Sequence, residues 1–251
     1  MKTELPLLQR LRIVLVETSH PGNIGATARA MKCMGLTRLY LVQPPATFPG
    51  ADATVRAAGA DDLLSQAVIC DSLGEAISGC GLVLGTTARS RSIDWPVLSP
   101  EQSASQALAA AVDADVALLF GRERSGLSNE EIDYCNAVIN IPTNPDFSSL
   151  NLASAVQVVS YAMRVAALQL VESAAEVKEP RTPLATHEQL ELLHAHFERC
   201  MTQVEFFDPA KPRRLLRRLR RLFNRAGLDE NELNILRGFL AAVETKTADK
   251  H

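Results

Sequence analysis

The sequence predicts an α/β fold: a mostly parallel sheet with helices on both faces, followed by a small all-helical unit at the C-terminus. Three observations carry this. Short apolar runs alternate with helical patterns through the first two thirds of the chain, as in a parallel sheet covered on both faces. The runs are only two to five residues long and are bounded by Gly, Pro or capping residues, which suits buried strands better than helices. After residue 172 no strand pattern recurs, and only capped helical patterns follow.

The elements read in order. Ile13-Val14-Leu15-Val16 is a buried strand, and Ala26 to Met34 is a helix ended by Gly35, a residue suited to a left-handed stop. Leu39 to Val42 is a second strand, closed by Pro44-Pro45, and Val68-Ile69 is a short third. Ser72-x-x-Glu75 has capping-box spacing and opens a short helix. Leu82 to Gly85 is another strand. Ser99-Pro100-Glu101-Gln102 supplies a cap, an N1 proline and an N3 Gln, which predicts a helix to about Val112. Val116 to Phe120 is a strand, Ser128-x-x-Glu131 opens a short helix, and Ala137 to Ile141 is the last strand. Leu150 to about Val171 is helical. Residues 1–171 therefore form one unit, 172–185 a polar linker with Pro180 and Pro183, and 186–251 a helical extension. In the extension, Thr186-x-x-Gln189 caps a helix to about Val204, Lys211 to Arg225 forms a second, and Asp229-x-x-Glu232 opens a third to about Glu244.

Composition narrows the function classes. The 251 residues are 47% hydrophobic and 22% charged, which argues against disorder. No apolar run is read as approaching the roughly 20 residues of a membrane span, and the N-terminal ten residues are interrupted by charge, so neither membrane nor signal peptide is expected. Five scattered cysteines without C-x-x-C argue against a disulfide framework and a zinc ribbon, and favour a reduced cytoplasmic setting. His196 and Cys200 have the i, i+4 spacing of half a metal site, but no further ligand is visible, so no metal is expected.

Net charge is −3, so nucleic-acid binding requires its positive charge in one place. That place is Lys211 to Arg225. Leu215, Leu216, Leu219, Leu222 and Phe223 make one helical stripe, and Arg214, Arg217, Arg218, Arg220, Arg221 and Arg225 cover the rest. No acidic residue stands within the run, so the helix repels itself unless something anionic lies against it. RNA is the reading favoured here. A solvated helix face and a membrane surface are the alternatives.

Three segments between strands and helices could carry chemistry. Ser19-His-Pro-Gly22-Asn23-Ile-Gly25-Ala-Thr-Ala-Arg29 places glycines before a helix, where backbone N–H groups suit an anion, but it lacks G-x-G-x-x-G. Phe120-Gly121-Arg122-Glu123-Arg124-Ser125-Gly126-Leu127-Ser128 nearly spells a phosphate-binding loop, yet Leu127 stands where the lysine is required, which excludes nucleotide hydrolysis. In Ile141 to Val156, two prolines fix an irregular loop and Ser148-Ser149 open a helix.

Taken together and in order, Asn23-x-Gly25-x-x-x-Arg29, Phe120-Gly121-x-Glu123-x-x-Gly126-Leu127 and Ser149-Leu150-Asn151-Leu152-x-x-Ala155-Val156 resemble the three motifs of the SpoU branch of the SPOUT RNA 2′-O-methyltransferases. Thr86-Thr87-Ala88-Arg89-Ser90-Arg91, Arg221-Leu-Phe-Asn-Arg225 and Glu232-Leu-Asn-Ile-Leu-Arg237 resemble the TrmJ subgroup. The resemblance implies a trefoil-knotted sheet, S-adenosylmethionine as cofactor, and a homodimer with the active site at the subunit interface. It implies cofactor contacts at Thr86, Thr87, Ala88, Gly121, Ile141, Ser148, Ser149 and Leu150, with Gly121 leaving room for the adenosyl group. It makes Arg29 and Ser149 the catalytic pair, with Asn23 and Arg29 as contacts to RNA, and the charge of the basic helix adds Arg217, Arg218, Arg220 and Arg221 to those contacts. The implied substrate is tRNA, methylated on the 2′-hydroxyl of cytidine or uridine at nucleotide 32 of the anticodon loop. Another tRNA position, ribosomal RNA, or an RNA-binding protein that has lost catalysis are the alternatives. An arginine stays protonated at neutral pH, so Arg29 suits a phosphate clamp and alkoxide stabiliser, not a base. Glu123 is expected to hold its loop.

Overall fold

Seven strands form one sheet in the order β3-β2-β1-β6-β4-β7-β5, with every pairing parallel. In a computed structural model, which describes residues 5–88, 95–173, 182–211 and 214–248, the strands are β1 (Leu11–Val16), β2 (Arg38–Val42), β3 (Val68–Cys70), β4 (Cys80–Thr86), β5 (Val97–Leu98), β6 (Asp115–Phe120) and β7 (Ala137–Ile139). The central strands are buried on both faces, and their side chains alternate between two cores. Ile13, Leu15, Leu84 and Leu118 face one core; Val14, Val16, Val83, Ala117 and Leu119 face the other.

Helices α1 (Pro21–Met34), α5 (Pro100–Ala110) and α7 (Leu152–Ser173) cover the first face, with α2 (Gly50–Ala57) and α3 (Asp61–Ser65) beside α1. The other face carries α4 (Leu73–Ala76), α6 (Asn129–Ile132) and the side chains of Trp95 and Leu127. The capping signals act as their chemistry demands: Ser99 and Ser128 close full capping boxes, and Gly35 ends α1 at φ 82°.

Several expectations are corrected. Helix α1 begins at Pro21, not Ala26, so Gly22 and Gly25 lie inside it. A Cβ on Gly25 would stand 2.0 Å from Ala53 O, so this glycine lets α1 and α2 pack closely and does not open an anion-binding turn. Strand β7 ends at Ile139, and Ile141 has already left the sheet. The expectation that no apolar run reaches membrane length also fails for α7: Leu152–Val171 is long and apolar enough. Val156, Val159, Met163 and Ala167 of that helix are buried in the first core. The trefoil threading depends on the whole path, including residues 89–94, which lie outside the described residues, as does most of the expected linker.

The C-terminal helices α8 (His187–Gln203), α9 (Leu215–Ala226) and α10 (Glu230–Ala248) enclose a core of their own, built on Leu190, Leu193, Cys200, Phe223, Leu233 and Leu240. The apolar stripe expected on α9 is only partly used: Phe223 is buried, whereas Leu222 is 45% exposed.

Candidate active site and basic helix

A cleft opens where the C-terminal ends of β4, β6 and β7 meet the loops that follow them, the position where ligands bind in open parallel sheets. It spans about 820 Å³, open solvent at its mouth included. All eight expected cofactor residues line it: Thr86, Thr87, Ala88, Gly121, Ile141, Ser148, Ser149 and Leu150. Arg122, Arg124 and Ser125, from the hairpin after β6, complete one side; each flanks a motif position, which is the signal that points to them.

The walls are fixed by main-chain bonds. Thr87 N donates to Ile139 O at 2.9 Å and Asn140 Nδ2 donates to Thr87 O at 3.0 Å, which pins the end of β4 to β7. The hydroxyl of Thr86 donates to Leu119 O, so this residue offers the cleft its methyl and backbone more than its oxygen. The hairpin 121–126 is closed by bonds between Arg122 and Gly126. A Cβ on Gly121 would stand 2.2 Å from Gly126 C and Leu127 N. The glycine is therefore required by the hairpin itself, before any ligand is considered, which amends the expectation that it serves the adenosyl group.

The three motifs meet through side chains. Glu123 accepts hydrogen bonds from Ser19 N, Ser19 Oγ, His20 N and Asn23 Nδ2, and Asn151 Nδ2 donates to Asn23 Oδ1. Burial alone would raise Glu123, but the bonds from Asn23 and Ser19 outweigh it and hold the carboxyl below its ordinary value. Glu123 thus holds its loop as expected. Arg122 pairs with Glu17 and Glu131, which raises its already high value. The cap of α7 is Asn151, whose Oδ1 accepts from Ala153 N, so Ser148 and Ser149 are released from the helix-opening role and stand on the cleft wall. Arg29 is exposed on α1 and does not line the cleft of its own chain.

Helix α9 is less free than its sequence suggests. Arg217 pairs with Asp133 at 2.6 Å. Arg220 pairs with Glu191 and lies over the Tyr134 ring, and Arg221 lies over Trp95. The missing acidic partners thus come from other elements, where i±4 spacing cannot show them. Arg214, Arg218 and Arg225 are exposed. In α8 and α10, His196, Cys200 and Glu244 come together with their ligand atoms within 4.8 Å. Glu244 already contacts Arg199 at 3.5 Å and His196 at 3.1 Å, and burial followed by Glu244 pushes the Cys200 thiol up. The further ligand that spacing alone did not reveal is thus Glu244 of α10, which is already engaged by Arg199 and His196.

The cleft and the extension correspond to two known sequence families. The SpoU rRNA Methylase family model matches residues 10–161, and the model of the tRNA methyltransferase TrmJ C-terminal domain matches residues 188–251. The tRNA (cytidine/uridine/adenosine-2'-O-)-methyltransferase TrmJ of Pseudomonas aeruginosa (strain UCBPP-PA14) is 49% identical over 245 residues, which cover 95% of each chain. The tRNA (cytidine/uridine-2'-O-)-methyltransferase TrmJ of Escherichia coli (strain K12) is 48% identical over 238 residues, covering 95% of this chain and 96% of that one. Among solved structures, TrmJ from Z. mobilis ZM4 matches with a TM-score of 0.79 at 35% identity, covering 93% of this chain and 98% of that chain. The chain belongs to the SpoU methylase family and ends in the C-terminal domain of its TrmJ members.

Proposed function

We propose that this protein methylates a tRNA ribose 2′-hydroxyl with S-adenosylmethionine, on cytidine or uridine at nucleotide 32 of the anticodon loop. The carrying observation is the cleft: eight residues singled out from separate motifs converge on it. The relatives of P. aeruginosa and E. coli bear the corresponding activity in their names. The lining fits the cofactor. Ile139, Ile141, Leu150 and Leu152 offer apolar surface for a purine, and the Ser148 and Ser149 hydroxyls and the Arg122–Ser125 backbone offer polar partners for an amino-acid tail.

Bound there, S-adenosylmethionine supplies an activated methyl on a sulfonium. The protein's task is to align the 2′-oxygen with it. Ser149 stands where it can hydrogen-bond the ribose or cofactor. Arg29, provided by a second subunit, clamps the neighbouring phosphate and stabilises the developing alkoxide. Asn23 meets RNA at the mouth of the same site. A homodimer supplies this arrangement, and the exposed Val158 and Tyr161 on α7 give it an apolar contact face. Residues 1–171 act as the methyltransferase domain and 186–251 as the RNA-docking extension, joined by 172–185, in the cytoplasm. On α9 the exposed Arg218 makes direct phosphate contacts; Arg217, Arg220 and Arg221 add their field and fix the helix.

The test is a map of ribose methylation in total tRNA with and without the gene. Loss of the 2′-O-methyl mark at nucleotide 32 alone is the expected result. Loss at another tRNA position or in ribosomal RNA would replace the substrate assignment, and an unchanged map would refute the activity.

A further inference from the structure

One face of α9 is fastened to the back wall of the cleft. Arg217, Arg221 and Asn224, at i, i+4 and i+7, share that face, while Arg214, Arg218 and Arg225 are exposed. Asn224 is buried, and its Nδ2 donates to Asp133 O at 3.2 Å and Cys135 O at 3.3 Å. Asn136, also buried, returns a bond from Nδ2 to Asn224 O at 2.8 Å and accepts from Val83 N at 2.7 Å. The helix is thus tied to β4 and to the turn before β7.

Arg221 reaches further. Its guanidinium carbon lies 6.0 Å from the ring centre of Trp95, the only tryptophan in the chain. Trp95 is 5% exposed and packs in one core cluster with Leu127, Ile132, Cys135 and Val138. Three of these side chains, Leu127, Ile132 and Cys135, press on the place where Gly85 lacks a Cβ, directly behind the cleft residue Thr86. The residue after Trp95 accepts a bond through Pro96 O from Val138 N, and β5 then pairs with β7 at Ile139, a cleft residue. Arg221 Nε and Trp95 Nε1 are both buried without a hydrogen-bond partner among the described residues. The contact between the two side chains is therefore the guanidinium over the ring.

We infer that Arg221 is a positioning residue for the cofactor cleft: acting through Trp95, it sets the β5–β7 edge and the Leu127 side of the hairpin, and so couples RNA bound on the outer face of α9 to cofactor in the cleft. The inference rests on the proposed methyltransferase reading and adds to it a coupling that must be reciprocal: tRNA tightens cofactor as much as cofactor tightens tRNA.

The experiment uses the full-length protein and Trp95 as a built-in probe. Emission of Trp95, S-adenosylmethionine affinity by calorimetry, and that affinity with tRNA present are measured for wild type, Arg221→Gln, Arg221→Lys and Arg218→Gln. Expected for Arg221→Gln are a changed emission spectrum, cofactor affinity about fivefold weaker, and loss of the tightening by tRNA. Arg221→Lys keeps the charge and should recover most of each. Arg218→Gln should weaken tRNA binding while leaving emission and cofactor affinity without tRNA as in wild type. Should Arg221→Gln not fold, Trp95→Leu, which removes the aromatic face, tests the same link from the other side and should abolish the tightening by tRNA. Wild-type emission, cofactor affinity and coupling in Arg221→Gln, or retained coupling in Trp95→Leu, would overturn the inference alone. A wild-type protein that binds no S-adenosylmethionine would overturn the parent reading and the inference together.

Discussion

Asn23 Nδ2 donates to Glu123 Oε1 at 2.8 Å, joining α1 to the hairpin that flanks the cleft across 100 residues of chain. Asn23 is oriented from its other end by Asn151. One amide therefore fixes three motif segments at once. Each carboxylate oxygen of Glu123 accepts two bonds, so Glu123→Gln either strands both His20 N and Asn23 Nδ2, or strands Ser19 N and obliges the Ser19 hydroxyl to turn and accept. We expect a loss of about 1–3 kcal/mol locally and weaker cofactor binding, with the sheet intact by circular dichroism. A Glu123→Gln protein with wild-type melting temperature and cofactor affinity would remove Glu123 from the structural account.

The same carboxylate sets a pH dependence. Its folded value is held low, so the stability it contributes is present above its unfolded value and is lost as pH falls through the folded one. Wild type should lose hairpin order on the acid side of the ordinary carboxylate range. Glu123→Gln should show a flatter acid limb. Thermal melts from pH 3 to pH 7 measure the difference, and parallel curves would contradict it.

The two hairpin glycines should behave differently. Gly121→Ala places a Cβ against backbone that cannot yield and should unfold the hairpin, abolishing cofactor binding. Gly126 sits at φ 68° with no atom of the described residues within 4 Å of its missing Cβ, so Gly126→Asn, which tolerates left-handed backbone, should bind cofactor within a few-fold of wild type. Equal damage from both would show that the close backbone approach at Gly121 is not what sets this loop.

These cases show which parts the sequence exposed. The caps at Ser99, Ser128 and Thr186 and the stop at Gly35 are local chemistry, and they read directly. Strand β5 did not read: two residues become a strand only because β7 lies beside them. Helices α2 and α3 were missed because they are short and are defined by packing against α1. The partners of Arg217 and Arg220 lie 84 and 29 residues away, beyond any local pattern. The cleft lining was legible only through resemblance to a family, since nothing in its spacing brings residues 86, 121 and 149 together.

The arginines of α9 should separate by role in their salt dependence. Arg218→Gln, with Arg214→Gln and Arg225→Gln, should each flatten log K against log salt for tRNA by about one unit, if each meets one phosphate. Arg217→Gln should instead lower the melting temperature, because it leaves Asp133 partly buried without its cation. Burial already outweighs Arg217 and raises Asp133 above its ordinary value, so the loss should stay at the modest end. A salt slope unchanged in the triple variant would return α9 to a solvated face.

The position of Arg29 yields the most discriminating test. It is exposed on α1 and does not line the cleft that Ser149 lines, an arrangement that a second subunit could complete. If Arg29 of one subunit serves the cleft of the other, defects in the two residues must complement. Arg29→Ala and Ser149→Ala are each expected to be nearly inactive as homodimers. Loss of a single hydrogen bond to a charged or reacting group costs about 1.5–3 kcal/mol, roughly 10- to 150-fold, enough to see. In a purified heterodimer of the two, one site receives intact Arg29 and intact Ser149, and the other carries both defects. Activity per heterodimer should return to about half of wild type, because one of two sites is whole. If each site were built from one chain, both would keep a defect and activity would stay near zero. Size-exclusion chromatography establishes that both variants still pair, and calorimetry establishes that Arg29→Ala still binds cofactor, as a residue outside the cleft must. A heterodimer with no recovery, made from two variants that pass these checks, would end the shared-site reading and require α1 to move toward its own cleft.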